Sequence, residues 1–290
     1  MRNPTLVFAS LATSALLAAC GSGGPARPQV KQIDYSDGTR VMMTYTGDLL
    51  ATVKTVNKDG AVDSDATVAY VAGRLTTFSV GAPGKVPTAY AYIYDEQGRL
   101  SRISANTTNS AYTYTATYSQ GLISRTDLSL VGGGVTTTVA TTYTFDTATQ
   151  KLQQTQTTTN MVVFGIPVNS LTTSIYTYDV STNLLKTVQV TGGDSSTLYD
   201  FSYDTSSRLS KVVGGGSTYT LEYGTDGYIS RSNYTNNGNA SFKSYTYQSG
   251  TVTGVLANPL IQFGDLFDMG GRELPYDQVY VSSSLMGLGG

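Results

Sequence analysis

The segment Tyr94-Asp95-Glu96-Gln97-Gly98-Arg99-Leu100 has the composition of a tight turn between two β-strands. Asp suits the first position of a type I turn, and Gly suits the left-handed position that follows it. This chemistry predicts a three-residue hairpin loop in which Asp95 pairs with Arg99 and Tyr94 lies opposite Leu100. An aromatic residue that faces an aliphatic one across a hairpin contributes about 0.2–1 kcal/mol of stability.

The same arrangement recurs along the chain, at intervals of roughly 24 residues in its first half. Each unit has an aromatic residue just before the turn: Tyr45, Tyr70, Tyr94, Tyr118, Phe145, Tyr178, Tyr203, Tyr223 and Tyr247. Each has an aliphatic residue just after it: Leu50, Leu75, Leu100, Ile123, Leu152, Leu185, Leu209, Ile229 and Val252. The aromatics are therefore predicted to be structural members of a nine-unit repeat.

The distance between the two partners varies, and turn chemistry accounts for the variation. A two-residue turn at Ala72-Gly73 puts Tyr70 opposite Leu75, and a four-residue loop puts Tyr178 opposite Leu185. All nine units can be read with the aromatic residue facing the aliphatic one.

The residue two positions before each aromatic lies on the same face of its strand. All nine of these residues are non-polar or aromatic, which predicts a buried face: Met43, Val68, Tyr92, Ala116, Tyr143, Tyr176, Phe201, Leu221 and Tyr245. Cations are predicted opposite three of them, with Arg102 facing Tyr92, Lys211 facing Phe201 and Arg231 facing Leu221. Their aliphatic stems would cover apolar surface while the charged ends stay in water, and cation–π pairing is the alternative.

Two units carry the fullest form of the motif, Tyr94-Asp95 through Gly98-Arg99-Leu100 and Tyr203-Asp204 through Arg208-Leu209. They resemble YD repeats, the Tyr-Asp repeats of bacterial Rhs-type surface proteins. The resemblance extends from Lys31 to Val255, and seven units are degenerate versions. The chain is more similar to short YD-repeat lipoproteins of unassigned function than to the large members that enclose a toxin.

The N-terminus has the pattern of a bacterial lipoprotein signal. Arg2 is followed by the apolar stretch 6–17, which is too short to span a bilayer, and then by the lipobox residues Leu17, Ala18 and Ala19 ahead of Cys20. The resemblance implies removal of residues 1–19 and lipidation of Cys20, so that acyl chains hold the protein in membrane lipid. Gly21 in place of Asp favours the outer membrane, again by resemblance, with the side of that membrane left open. A plain secretory signal with an incidental Cys is the alternative.

The predicted architecture is all-β: a flexible tether over 20–30, then a long antiparallel meander of about nine hairpin repeats over 31–255. A sheet of this size is expected to coil into a roll or curved sheet. The segment 256–290 is predicted to supply one short C-terminal helix, beginning at Asn258-Pro259, and a tail with an edge strand at 279–281. The helix would either fill the hollow of the sheet or dock a partner.

Composition limits the chemistry that the chain can perform. The chain has no His and one Cys, so a Ser–His–Asp or Cys–His site cannot form, and neither a cofactor nor a metal is expected. Acids remain: Asp265, Asp268, Glu273 and Asp277 are candidates for a carboxylate glycosidase, and the cluster 59–65 contains three Asp that could bind calcium. Solvated loop acids are the simpler interpretation of both groups.

The sequence therefore predicts a non-catalytic, lipid-anchored envelope protein whose β-sheet is a binding or surface-interaction module. The near-neutral balance of 18 basic and 20 acidic residues argues against nucleic acid. Tyr- and Thr-rich surfaces suit a glycan or an envelope protein as ligand. A periplasm-facing structural or assembly lipoprotein, or an inhibitor, is the alternative, and a carboxylate glycosidase is a remote one. The many Thr, Ser and Gln residues argue against a membrane-spanning barrel.

Overall fold

The structure is a computed structural model that describes residues 27–163 and 165–252. Within these residues it is entirely β, and no helix in them is long and apolar enough to cross a membrane. Its eighteen strands are β1 (Arg27–Tyr35), β2 (Arg40–Thr46), β3 (Leu49–Val56), β4 (Val62–Val71), β5 (Arg74–Gly81), β6 (Thr88–Tyr94), β7 (Leu100–Asn106), β8 (Ser110–Ser119), β9 (Leu122–Gly132), β10 (Val135–Phe145), β11 (Leu152–Val163), β12 (Ile166–Tyr178), β13 (Leu185–Gly192), β14 (Ser195–Tyr203), β15 (Leu209–Gly214), β16 (Ser217–Tyr223), β17 (Ile229–Asn236) and β18 (Asn239–Val252).

The predicted turn chemistry is present in the structure. The Asp95 N–H donates to the Arg99 carbonyl at 2.8 Å and closes a three-residue loop with Gly98 at φ +80°. Ala72 and Gly73 both have positive φ, as a two-residue type I′ turn requires. The Asp179 N–H reaches the Leu184 carbonyl at 2.8 Å across a four-residue loop. Loop length therefore varies without changing which residues pair.

The predicted aromatic–aliphatic pairs form in eight units. The observed pairs are Tyr45 with Leu50, Tyr70 with Leu75, Tyr94 with Leu100, Tyr118 with Ile123, Phe145 with Leu152, Tyr178 with Leu185, Tyr203 with Leu209 and Tyr223 with Ile229. The ninth pair is wrong. Tyr247 and Val252 lie in one continuous strand, β18, where Tyr247 faces Val30 and Val252 faces Arg27.

This difference at the chain ends closes the sheet. β1 pairs with β2 on one side and with β18 on the other, all antiparallel, so the eighteen strands form a closed barrel. The predicted open roll or curved sheet is therefore wrong, because the first and last strands satisfy each other's edges. The first residues of β1, 27–30, belong to the segment predicted to be a tether. The helix and tail predicted over 256–290 lie outside the described residues.

Each of the eight repeat turns has a β-bulge beside it that shifts the register between the repeat aromatic and the residue before it. The extra residue lies on the strand that follows the turn. In the third unit Tyr94 faces Leu100 but Ile93 faces Arg102, so Ser101 is the extra residue. The Ser101 hydroxyl donates to the Ile93 carbonyl at 3.1 Å. Four other units repeat this bond from the Ser or Thr after the aliphatic residue: Thr76, Ser124, Ser210 and Ser230.

The bulges overturn the predicted positions of three cations. Arg102 lies opposite Ile93, Lys211 opposite Ser202 and Arg231 opposite Glu222, each one place from the predicted apolar partner. The predicted pairings of these cations with Tyr92, Phe201 and Leu221 are therefore wrong. Arg231 does make a cation–π contact, but with Phe242, whose ring centroid is 4.1 Å from its guanidinium carbon.

The two faces of the barrel wall differ in polarity. The residues predicted two positions before each aromatic are buried, or half-buried in the case of Val68 and Tyr143, and all pack in the core. They mark the inner face, since a closed sheet shields its interior from solvent. The outer face carries exposed charges in mid-strand: Asp65, Arg102, Arg125, Asp200, Lys211 and Glu222. Charged side chains in mid-strand distinguish this outer face from that of a lipid-facing barrel, which carries an apolar band.

Candidate functional site

The barrel has two chemically different rims. We call the rim that carries the eight repeat turns, from β2–β3 to β16–β17, the YD rim. The other end carries the turns from β1–β2 to β17–β18, and we call it the far rim. Both Arg27 and Val252 lie at the YD rim, because β1 enters and β18 leaves the barrel there.

Hydroxyl groups of six of the eight repeat tyrosines connect a hairpin to the strand or hairpin before it. Tyr203 donates to the Leu185 carbonyl at 2.7 Å, and Leu185 is the aliphatic partner in the preceding unit. The same bond joins Tyr118 to Leu100, Tyr178 to Leu152, Tyr223 to Leu209 and Tyr247 to Ile229, while Tyr45 reaches Val30 of β1. The ring of aromatics therefore fixes the spacing of neighbouring hairpins.

The cations of the turns stack in the same direction. The Arg99 guanidinium carbon is 4.2 Å from the ring centroid of Tyr118 in the next unit, and Arg208 is 4.2 Å from Tyr223. Arg74 over Tyr94 and Lys151 over Tyr178 repeat the contact at 5.8 Å and 4.8 Å. Four of the nine repeat rings are thereby covered by a cation from the previous turn.

The Asp residues of the turns hold these cations and the loop backbone. Asp95 accepts from Arg99 Nε at 2.7 Å and from the Arg99 backbone N–H at 2.8 Å, and Asp204 does the same with Arg208. Burial alone would raise the pKa of either carboxyl, but the hydrogen bonds and charge of its Arg outweigh it, so both pKa values lie below the usual range. The hydrogen bonds and stacking contacts of the ring thus use the Tyr, Asp and Arg side chains of the repeat turns. These side chains stabilise the YD rim.

The far rim carries a cleft beside the β17–β18 turn. It has a volume of about 280 Å³ and is lined by Tyr234, Asn236, Asn237, Asn239, Ala240 and Ser241. None of these six residues is charged. Tyr234 is 39% exposed, and its hydroxyl lies 3.2 Å from Ser217 Oγ, which fixes the ring at the edge of the cleft. The Asn236 Oδ1 atom is shielded from solvent and has no hydrogen-bond partner.

The turn itself explains only part of this composition. Asn237 and Gly238 have φ of +47° and +83°, so they form a two-residue turn of the type I′ class, for which Asn-Gly is the preferred pair. Asn237 also packs beside the neighbouring β15–β16 turn, because its Oδ1 would lie 3.1 Å from a Cβ built on Gly216. Asn236 and Asn239 flank the turn, and a turn of this type does not require Asn at either position.

A second feature of the far rim is the hairpin formed by β11 and β12. β13 pairs with β12 only from Thr172 onward, so the stretch 166–171 has a sheet partner on one edge alone among the described strands. Ile166, Val168 and Leu171 are 68%, 49% and 50% exposed, and residues 152–178 contain no charge. An uncharged free edge of this kind is a template for another strand.

The structure separates the residues that the sequence singles out. All nine repeat aromatics lie together at the YD rim. The lipobox Leu17, Ala18 and Ala19, the lipidation residue Cys20 and the acids at 265–277 lie outside the described residues. In the 59–65 cluster, Asp59 pairs with Lys58 at 2.8 Å and Asp63 accepts from Asn57 at 3.3 Å. No group of three or more His, Cys, Asp or Glu in the described part of the chain could hold a metal ion.

The sequence reasoning missed the cleft of Tyr234. Its signal is the run 234–241, Tyr-Thr-Asn-Asn-Gly-Asn-Ala-Ser, in which an Asn-Gly turn is flanked by further amides and an aromatic residue. The aromatic before this turn belongs to the far rim and so falls between the repeat positions, which is why a search at the repeat spacing passes over it.

Similarity to known proteins is found among solved structures. Neither a protein-family model nor a curated protein matches the chain. Among solved structures, a porin-like protein from Bacteroides vulgatus ATCC 8482 is 11% identical over 76% of this chain and 99% of that chain, with a TM-score of 0.41. A porin-like protein from Bacteroides uniformis ATCC 8492 is 10% identical over 77% of this chain and 98% of that chain, with a TM-score of 0.37. Likeness at this level carries no argument about what the chain does.

Proposed function

We propose that this chain is a non-catalytic lipoprotein of the outer membrane, anchored through Cys20, whose closed YD-type barrel is an interaction module. One observation carries the proposal: β1 begins at Arg27, at the YD rim, only a few residues after Cys20. The intervening residues 21–26 reach at most roughly 20 Å when extended. The YD rim is therefore held close to the bilayer, and the far rim points away from it.

The polarity of the wall supports an anchored barrel over an inserted one. An Arg or Lys on the lipid-facing side of a barrel costs about 2–4 kcal/mol at the middle of the bilayer. Arg102, Lys211 and several acids stand exposed on the outer face in mid-strand. A barrel of this polarity is suited to water and needs an added anchor to stay at a membrane.

The distribution of chemistry between the rims supports an interaction role. Hydrogen bonds and cation–π contacts within the barrel use the side chains of the YD rim, whereas the far rim presents an uncharged cleft and a free strand edge. The absence of His in the chain removes the commonest general base, which supports a non-catalytic role.

A periplasm-facing assembly role is the second candidate, and the free edge of β12 favours it. Envelope proteins that accept an extended segment of a partner do so by adding a strand to such an edge. The apolar side chains of residues 166–171 would then contact alternate side chains of the added strand.

Surface exposure tests both candidates. Protease is added to intact cells that carry the tagged protein, with Cys20→Ala as the unanchored control. Degradation in intact cells, with the control found free of the membrane, is the expected result for an outward-facing module. Protection until the outer membrane is opened would favour the assembly role. Retention of Cys20→Ala in the membrane fraction would contradict the anchor.

A further inference from the structure

We infer that the Tyr234 cleft binds a single neutral sugar residue; this inference rests on the proposed interaction role and names the ligand class of that site. The cleft combines an exposed aromatic ring with the side chains of three Asn and one Ser. Each Asn side chain offers both donors and an acceptor, and each Ser hydroxyl does the same. A pyranose presents hydroxyl groups around its edge and an apolar C–H face, and both surfaces find a counterpart here.

The aromatic ring supplies the stacking surface. Tyr234 is more than a third exposed although its neighbour across the sheet, Tyr219, is half-buried. The face of an aromatic ring is electron-rich and attracts the weakly positive C–H groups of a sugar. The contact with Ser217 keeps the Tyr234 ring in place before binding, which limits the entropy lost on association.

One of the amides supplies a hydrogen-bond acceptor that has no donor in the described part of the chain. The Asn236 Oδ1 acceptor is shielded and unpaired, and a polar group in that state destabilises the protein. When the amide turns into the cleft, a sugar hydroxyl that donates to it removes that cost. Since turn geometry requires neither Asn236 nor Asn239, their amides are available for a ligand.

Size and charge limit the ligand. A volume of about 280 Å³ lies just below the range of sites for drug-sized molecules, so the cleft accommodates one ring of a chain or a terminal residue. None of the six lining residues is a cation that could pair with a uronic acid or a phosphate. The ligand class is therefore a neutral hexose or N-acetylhexosamine at the end of a glycan.

The test uses the mature chain with Cys20→Ala, titrated with the methyl glycosides of glucose, galactose, mannose and N-acetylglucosamine and with methyl glucuronide. We expect saturable binding of at least one neutral glycoside and none of the glucuronide. Tyr234→Ala should weaken that binding about five- to ten-fold, whereas Tyr234→Phe should keep most of it because the ring remains.

Phe242→Ala is the matched control, since Phe242 is 37% exposed on the next strand but does not line the cleft. The affinity of Phe242→Ala for the glycoside should equal that of the parent protein. The unfolding midpoint of each variant shows whether the barrel is intact. Absence of binding to all four neutral glycosides would overturn the inference, and so would equal losses in Tyr234→Ala and Phe242→Ala. Binding is measured without the anchor, so its failure leaves the localisation result standing, and failure of the anchor leaves the binding result standing.

Discussion

The hydroxyl of the repeat tyrosine is what turns a set of hairpins into an interlocked ring. In Tyr203 it donates to the Leu185 carbonyl of the preceding unit, a position that strand pairing alone does not fix. Phe145 occupies the same position in its unit without a hydroxyl, and the hydroxyl of Tyr70 is buried without a hydrogen-bond partner, so the ring tolerates gaps. Replacing a single repeat Tyr with Phe therefore measures how much one hydroxyl contributes to the stability of the ring.

Replacing Tyr203 with Phe should lower the free energy of unfolding by about 1 kcal/mol, because one largely shielded hydrogen bond is lost while ring packing is kept. The unfolding midpoint in urea measures the change. The reverse variant Phe145→Tyr brings a hydroxyl to the gap beside Ile123 and should raise the midpoint. If Tyr203→Phe unfolds at the same urea concentration as the parent, the hydroxyl is not part of what holds the units together.

At the scale of the turn, stacking between units places a strict demand on one glycine. Gly98 has φ +80°, and a Cβ added there would collide with the guanidinium of Arg74 from the previous unit. Gly121 has φ +84° in the equivalent turn of the next unit, with open space around it. An Ala at either position would carry the same backbone strain, and the two positions differ in the neighbouring cation.

Gly121→Ala should cost about 1–2 kcal/mol of stability from the left-handed backbone alone. Gly98→Ala should cost more, because Arg74 must also leave its stacked position over Tyr94. Chemical unfolding of both variants gives the two losses, and their difference reports the contact with Arg74. Equal losses would mean that Arg74 moves aside freely.

Turn chemistry predicted which residues pair in these hairpins but not the bulge beside them. The Asp, Gly and loop length around Tyr94 are local, so they determine that Tyr94 faces Leu100. The extra residue, Ser101, changes only the pairs that follow, which displaced Arg102 by one place. Its signal was the Ser or Thr that follows the aliphatic residue in five units, since its hydroxyl reaches the carbonyl before the aromatic.

Closure of the barrel had no comparable local signal. Gln29 and Gln248, which contact each other at 2.6 Å across the seam, are 219 residues apart in sequence, and β1 belongs to none of the repeats. Nine similar hairpins predict a long meander equally well whether it stays open or closes. The run 234–241 signals an amide-rich turn, but the cleft of Tyr234 itself depends on the far rim being formed.

The interior of the whole barrel predicts its response to alkali. Burial raises the pKa of Tyr70, of Tyr90 and of Tyr94 from 10.0 to about 12. Between these values the folded protein keeps protons that the unfolded chain releases. Stability is therefore complete below pH 10 and should fall as pH rises toward 12.

Urea unfolding midpoints measured from neutral pH upward, with tyrosinate absorbance as a second readout, check this dependence. The buried tyrosines should ionise together with unfolding, and Tyr90→Phe should weaken the dependence on pH. Ionisation of all tyrosines near pH 10, while the barrel stays folded, would contradict the burial described for the inner face.

The seam between β1 and β18 has a consequence for how the protein is made. Synthesis delivers the amino end first, so β1 emerges with its partner β18 still to come. Until then the growing sheet carries two unpaired edges, each able to recruit a strand from another chain. Contacts between such distant segments form slowly. The folding chain therefore passes through a long-lived stage that is prone to association, and this stage ends only when β18 returns to pair with β1.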